Sequence, residues 1–556
     1  MYGVHLRADG NPLRRVWLLS ELSNASLQYE LIADAINKLF DKSSYSSDIE
    51  KVLDVSEADM EAFLLSEYKS YRLDDAANAG LSVNGLSSEF LTMASQGVNG
   101  YAASIRELLD IPQLVAGAFK VSPRTEVNLY ALASGFKPLL NPFTGLVSSC
   151  KSSLGREWYY LNEGCDFCLV SELSQPMAFM GVEGLWVFPQ KKLILWYWNG
   201  YPERDVIRHV ASLLRGLLLS GDKVRHYLAT DANRKLAITD FNCPHMGHNF
   251  WNVMTGWSNL LQNSPLHHAD FIVEHDNQNF FGFISEVFGD LLKDEAYFKA
   301  NNDEEMRNFL FSNNAFSITV KDENISDFLN GKILAYARTQ VSKEFLEKCE
   351  SLKRNSKPLL LITIRLDNRA WLNQNEGWAA LILKLKETFP MLAIVVDGLS
   401  SDAVKGWTTG WMSLDAEVVI ADKIAADIDN QLPIIFGVGR PFFEGLILCD
   451  YADVYIAPLG TGMVCYKWIC NKPGIAFSNS AALNNEHQQA PLRVWDNFGE
   501  SVIPSNYLPM DRVIDVEFVR DDPTRANFTM EWADLHDFAQ PLLRAWFPEA
   551  VKPELS

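Results

Sequence analysis

Three patterns of apolar and polar positions succeed one another along the chain. Up to residue 110 the apolar residues recur at helical spacing, as in LLSELSNASLQYELIADAINKLF at 18–40. A second helix is expected at EADMEAFLLSEY, where Ser56 precedes acids at Glu57 and Asp59 in the first turn. A third, SIRELLDIPQLVAGAF, is interrupted at Pro112. Over 111–230 the runs EVNLYALASGF, EWYYLNEG, FCLVSEL and LWVFPQKKLILWYWNG read as strands, the last two as a hairpin around PQKK. The helix ERDVIRHVASLLRGLLLSG follows them. From 231 strands alternate with helices: KLAITDF, HADFIVEH and AFSITV with ISEVFGDLLK and SKEFLEKCESLKRNS. Such alternation predicts parallel βαβ units.

A clearer unit begins at SKPLLLITIR. The runs LLLITI, LAIVVDG, AEVVIAD, LPIIFGV, ADVYIAP and GIAFS are short and apolar throughout, as strands buried on both faces are. Helices are expected at EGWAALILKLKETF, near 423–431, at FFEGLILCDY and at GMVCYKWICN, and ADLHDFAQPLLRAWF closes the chain. The expected fold class is α/β, with two Rossmann-like domains facing a cleft. The expected organisation is an N-terminal helical region (1–110), a mixed β/α segment (111–230), a first Rossmann-like domain (231–345), a second (346–530) and a C-terminal helix (531–556).

Composition narrows the partners. With 556 residues the chain is too long for one hydrophobic core. Its 49 basic and 70 acidic residues leave a net charge of −21, which argues against nucleic acid as a bulk partner. A small anion remains compatible, because one Arg and a few backbone N–H groups hold a diphosphate locally. No run is long enough to span a membrane and no leader segment is read, so a cytoplasmic protein with reduced thiols is expected. Cys165 and Cys168 form a CxxC without a second pair, and read as two thiols in a β region.

Candidate chemistry follows from the strand ends, since ligands of open parallel sheets bind outside the carboxyl ends of the strands. Arg365, Asn368 and Arg369 follow LLLITI, Asp397 follows LAIVV, and Gly437 and Gly439 follow LPIIF. Gly460, Thr461 and Gly462 follow ADVYIAP, and Ser478 follows GIAF, with Glu486 beyond it. Glycines let a backbone approach a phosphate, a helix start offers free N–H groups, and Arg supplies a planar fork. A tight βα turn and an Arg365 salt bridge to Asp367 or Asp397 are the plainer alternatives. GVGRPFFEG matches a dinucleotide fingerprint superficially and lacks its acidic residue. In the first unit, CPHMGHNFWN at 243–252 follows a strand. His248 is the candidate general base, because a helix N-terminus disfavours imidazolium, and His245 is the second candidate. Gly247 gives backbone clearance, and Asn249 and Asn252 are candidate acceptor contacts. His248 reads equally as a cap or turn residue. A zinc site at the two histidines would lack the Glu of HExxH and a third ligand.

Two α/β units in tandem, with LLLITIRLDNRAW and ADVYIAPLGTGMVCYKW in the second, resemble the GT-B class of glycosyltransferases. The first segment is similar to the strand-plus-Arg segment of bacterial fucosyltransferase-like enzymes. The second is similar to the donor-site segment of heptosyltransferase-like enzymes. The resemblance covers roughly residues 356–500 and leaves the first 230 outside it. It implies a nucleotide-sugar donor in the second domain, a glycan or protein acceptor in the first, and no resident metal or cofactor. No DxD-like triplet ends a strand, and LDNR at 366–369 is the nearest approach. Two alternatives stay open. One is a nucleotide-sugar epimerase on the same fold. The other is a non-catalytic glycan-binding or scaffold protein, with the N-terminal helices serving protein interaction or oligomerisation.

Overall fold

The computed structural model describes residues 56–73, 85–116, 119–156, 158–163, 166–171, 184–197, 203–230, 234–240, 246–263, 269–276, 281–292, 296–322, 325–402, 413–484, 501–519 and 522–552. The helix expected over 18–40 lies outside them. Among the described residues the fold is mixed α/β, with two all-parallel sheets, one mainly antiparallel sheet and three two-stranded antiparallel pairs. No described helix is long and apolar enough to cross a membrane.

The amino-terminal sheet has five strands, in the order 69–72, 193–197, 184–188, 166–171, 158–163. The hairpin around PQKK forms as expected, pairing Gly184–Phe188 with Leu193–Tyr197. Helix Glu57–Glu67 also forms, closed by a capping box in which Ser56 Oγ accepts from Asp59 N at 3.1 Å. The mainly helical reading of 1–110 missed Lys69–Arg72, an edge strand parallel to Leu193–Tyr197. Its four polar or part-exposed residues carry no apolar alternation to betray it.

The middle sheet runs 296–300, 271–275, 235–239, 315–319. The carboxy-terminal sheet runs 434–436, 393–397, 359–363, 454–458, 474–477, 506–507. Counted within each unit, the orders are 3-2-1-4 and 3-2-1-4-5-6, the doubly wound arrangement in which the chain reverses direction beside the first strand. One apolar core joins the two, running from Leu236 and Ile238 in one sheet to Leu360 and Ile362 in the other. The 345/346 division falls inside helix Lys343–Asn355.

Two segments read as strands are helices. EVNLYALASGF lies in helix Pro123–Ser134, started by Ser122, whose Oγ accepts from Thr125 N, and ended by Gly135 at φ +73°. AEVVIAD lies in helix Leu414–Ile428, where Ser413 caps Ala416 N and Glu417, Ala421, Ile424 and Ile428 share the buried face. In both, capping overrides β-branched or aromatic propensity, joined in the second by a helical burial period, whereas residues 124–129 of the first are buried without a break. ISEVFGDLLK forms only the single turn Ile284–Val287. SIRELLDIPQLVAGAF ends its helix at Leu108, before Pro112.

Candidate functional site

The carboxy-terminal sheet reverses direction between Leu359–Thr363 and Val454–Pro458, so the loops leaving these two strands flank one crevice. Arg365 lies on the first loop. Its Nη2 donates to Asn368 Oδ1 at 2.8 Å, its Nε donates to Asn368 O, and Asp367 Oδ1 lies 3.2 Å from Nε. The Asp367 partner suggested by the sequence is therefore present. Gln374 Nε2 donates to Arg365 O at 2.8 Å and fixes the backbone beneath. Nη1 has no acceptor among the described residues and points at Gly460. A Cβ on Gly460 would stand 2.1 Å from it. Sequence positions 365 and 460 thus meet, and only glycine lets them.

The Gly460-Thr461-Gly462 turn presents its own donors. The carbonyls of these three residues accept from the N–H groups of Met463, Val464 and Cys465, each at 3.0 Å. Among the described residues no acceptor takes the N–H groups of Gly460, Thr461 or Gly462. The helical stretch that follows, Val464–Ile469, has π spacing. On the next strand end, Ser478 is fully buried and its hydroxyl has no partner among the described residues. Asn479 is structural: Nδ2 donates to Thr524 O and Ala526 O, and Oδ1 accepts from Ala482 N.

Other expected edge residues have structural work. Asn368 grips Arg365. Arg369 adopts φ +56°, and its N–H donates to Arg525 O at 3.3 Å. Gly439 takes φ +76°, and a Cβ on Gly437 would lie 3.2 Å from Asp397 Oδ1. Burial raises the Asp397 carboxyl to about 7. Glu417 joins it. Burial raises its carboxyl to about 7 as well, and its Oε2 accepts from Leu399 N at 2.6 Å. Reading 416–422 as a strand hid Glu417, although Ser413 followed by Asp415 and Glu417 is a helix-start signal. Glu486 lies outside the described residues.

In the middle sheet the chain reverses between Lys235–Thr239 and Ala315–Thr319, where Thr239 and Thr319 hydroxyls meet at 2.7 Å. His245 lies outside the described residues. His248 ends the single turn Met246–His248, which continues into the π-spaced stretch Asn249–Met254. Gly247 and Asn249 are buried there. His248 is only 8% exposed, and burial lowers its pKa, with the nearby Lys321 charge adding and the Asn252 hydrogen bond opposing. The ring is therefore neutral at neutral pH. Asn252 Nδ2 donates to Asp322 O at 3.1 Å, which turns its Oδ1 toward His248 Nδ1 at 2.9 Å. An oxygen there calls for the proton on Nδ1 and leaves Nε2 as the basic nitrogen. Asn252 is consequently a positioning residue.

Ring contacts join the two turns. His248 stacks on Trp251 at 5.6 Å and 17°, and Trp251 meets Trp468 of the second π stretch at 5.8 Å. Phe250 stacks on Phe442 at 5.9 Å, and Asn330 Nδ2 donates to Trp468 O at 3.1 Å. The helices leaving both reversal points are thus in direct contact.

No protein-family model and no curated protein matches the chain. Solved structures do. A glycosyl transferase of family 9 from Veillonella parvula DSM 2008 aligns over 57% of this chain and 99% of its own, at 10% identity and TM-score 0.32. The E. coli ADP-heptose lps heptosyltransferase II aligns over 56% and 99%, at 9% identity and TM-score 0.32. The Methanocaldococcus jannaschii UDP-GlcNAc 2-epimerase, solved with UDP-GlcNAc and UDP, aligns over 51% and 71%, at 14% identity and TM-score 0.22. At these scores the likeness carries no weight beside the geometry. Among the described residues no group of three or more His, Cys, Asp or Glu is placed to hold a metal ion.

Proposed function

We propose that the chain is a glycosyltransferase, moving a sugar from a nucleotide-sugar donor to a hydroxyl of a glycan or protein acceptor. The observation that supports this reading is the meeting of Arg365 Nη1 with Gly460, beside three backbone N–H groups that have no internal acceptor. A diphosphate is the ligand that such a set of converging donors suits. In transfer, His248 Nε2 takes the acceptor hydroxyl proton while that oxygen bonds to the anomeric carbon. The bond from that carbon to the diphosphate breaks, and its electron pair leaves with the diphosphate, whose charge Arg365 and the turn stabilise. His248 is nearly enclosed, so this reading requires that the acceptor hydroxyl be admitted to the ring.

One observation favours a second reading. Burial raises the carboxyls of Asp397 and Glu417 to about 7 at the same sheet edge, where each could exchange a proton near neutral pH as an epimerase would use. Incubation with UDP-, GDP- and CMP-sugars separates the two. Nucleotide released only when an acceptor is added supports transfer. Interconversion of the sugar, with solvent deuterium entering it, supports epimerisation. No nucleotide binding at all sinks both and favours a non-catalytic protein. Under transfer, Arg365→Ala weakens donor binding by about 10–100-fold, the loss of a charged hydrogen bond. His248→Ala leaves donor binding intact and lowers kcat by about 100-fold or more. Unchanged turnover in His248→Ala rejects the base assignment.

A further inference from the structure

A polar cavity lies between helix Glu203–Leu219 and helix Asp303–Ser312, on the far side of His275 from Asp240. Its volume is about 50 Å³, and Arg156, Trp158, His209, Asp303 and Arg307 line it. A water needs roughly 10–15 Å³ of such space, so the cavity holds about three to five water-sized groups. That is the size of a five-atom tetrahedral oxyanion.

The lining itself is unbalanced toward the basic side, with two guanidiniums against one carboxylate, while His275 behind it is paired with Asp240 at 2.6 Å. Asp303 is the one carboxylate in the lining, and its Oδ1 is already shared by His275 Nε2 at 3.0 Å and Arg156 Nη2 at 3.6 Å. His275 is itself cationic: burial alone would lower it, but Asp240 and Asp303 raise it to about 9. His209, lowered to about 4 by burial and by the Arg156 charge, is neutral. Arg307 is left over. It makes no hydrogen bond or close ion pair among the described residues, and its Nε is buried without a partner. Burial and the Arg156 charge both disfavour its cationic form, while Asp303 and Glu304 favour it.

Two glycines are spent on placing this unpaired guanidinium. A Cβ on Gly155 would stand 2.7 Å from Arg307 Cγ, and a Cβ on Gly216 would stand 2.7 Å from Arg307 Nη2. Gly216 lies inside the 17-residue helix Glu203–Leu219, where glycine costs stability relative to alanine. Arg307 therefore passes between two backbones that approach only because both lack side chains, and it ends at the cavity.

We infer that this cavity is an anion site, in which Arg156 and Arg307 grip a tetrahedral oxyanion, either free phosphate or the phosphate of a small phosphomonoester. Two guanidiniums converging on one group suit phosphate through parallel N–H donors. The site is separate from the proposed donor crevice and is independent of that reading.

The test uses the full chain carrying Arg365→Ala, so that phosphate in the donor crevice does not contribute. In chloride buffer, added inorganic phosphate is expected to raise the unfolding midpoint of this parent saturably. Adding Arg307→Met is expected to abolish the rise, and without phosphate its midpoint is expected to stay at or above that of the parent, since an unpaired buried charge has gone. Gly216→Ala, which pushes the guanidinium aside, is expected to abolish the rise independently. A phosphomonoester more potent than phosphate identifies an ester as the ligand, and equal or lower potency identifies the free anion. No rise in the parent, or an undiminished rise in both variants, overturns the inference. So does a midpoint of Arg307→Met that falls equally with and without phosphate, the behaviour of a purely structural arginine.

Discussion

Gly460 and Arg365 constrain each other at the residue scale. The only space for a Cβ at 460 is occupied by Nη1 of the arginine, the far end of a flexible side chain. Gly460→Ala should therefore fold and displace the guanidinium. Calorimetry should show nucleoside diphosphate affinity falling by about tenfold or more, in the manner of Arg365→Ala, with little change in the unfolding midpoint. Normal affinity in Gly460→Ala would mean that the guanidinium is not a ligand contact. Asp397 makes a pH-dependent prediction. Its carboxyl moves from an ordinary 3.8 to about 7 on folding, because burial penalises the charge. Between these values the folded chain holds more protons than the unfolded one, so stability falls as pH rises through the window and is lowest above about 7. Asp397→Asn removes its share of that slope. Its midpoint should exceed the wild-type midpoint at about pH 8, and the gap should close toward about pH 4. Glu417 contributes with the same sign, so part of the slope should persist. An equal gap at both ends of the range would rule out a raised Asp397.

Among elements, the hairpin of Ile514–Val519 and Asp522–Thr529 supports the proposed donor crevice. Ala370 N donates to Asn527 Oδ1 at 3.0 Å, Leu372 N to Phe528 O at 2.8 Å, and Trp371 Nε1 to Met530 O at 3.1 Å. The same hairpin accepts both Asn479 donors, and Asp515 accepts from Ser480. It clamps the Arg365 loop and the Ser478 turn together over the packed rings of Trp371, Trp378, Phe477 and Phe528. Asn527→Ala strands a buried N–H and should cost about 1–3 kcal/mol. It should also weaken donor binding without touching the donor. Full affinity in a folded Asn527→Ala would separate the clamp from the site. Nothing in the apolar pattern flagged this hairpin, because its contribution is made by polar side chains and backbone carbonyls paired with residues between 35 and 159 positions away.

For the whole molecule, one apolar core joins the carboxy-terminal sheet to one face of the middle sheet, whose other face packs a small cluster of its own, while the amino-terminal sheet packs two more. Core continuity predicts cooperative opening. Hydrogen exchange should give the central strands Lys235–Thr239 and Leu359–Thr363 the same opening free energy and the same denaturant dependence. Strands Trp158–Glu163 and Asp166–Ser171 should open as a distinct unit. Different denaturant slopes for the two central strands would show that the parallel sheets unfold apart. Helix Pro123–Ser134 links the layers, since Asn128 Nδ2 donates to Thr319 O at 2.8 Å and Thr125 Oγ1 to Lys321 O at 3.0 Å.

The buried parallel strands, their order in the chain and the residues at their carboxyl ends were legible from sequence, because a strand covered on both faces must be continuously apolar and its polar residues are displaced to its ends. Arg365, Gly460 and Ser478 were placed at strand ends in this way. Local pattern failed where capping outweighed propensity, at helices Pro123–Ser134 and Leu414–Ile428, and so Glu417 was missed. Tertiary structure alone decided which strands adjoin, and with them the two reversal points. It turned Asn252 and Asn368 from contact candidates into supports, by assigning the partners of each amide. It also brought Arg307 between Gly155 and Gly216, residues that lie far apart in the chain. Strand order, amide orientation and the space beside a glycine depend on which distant backbones meet, and a linear pattern of apolar residues does not encode that.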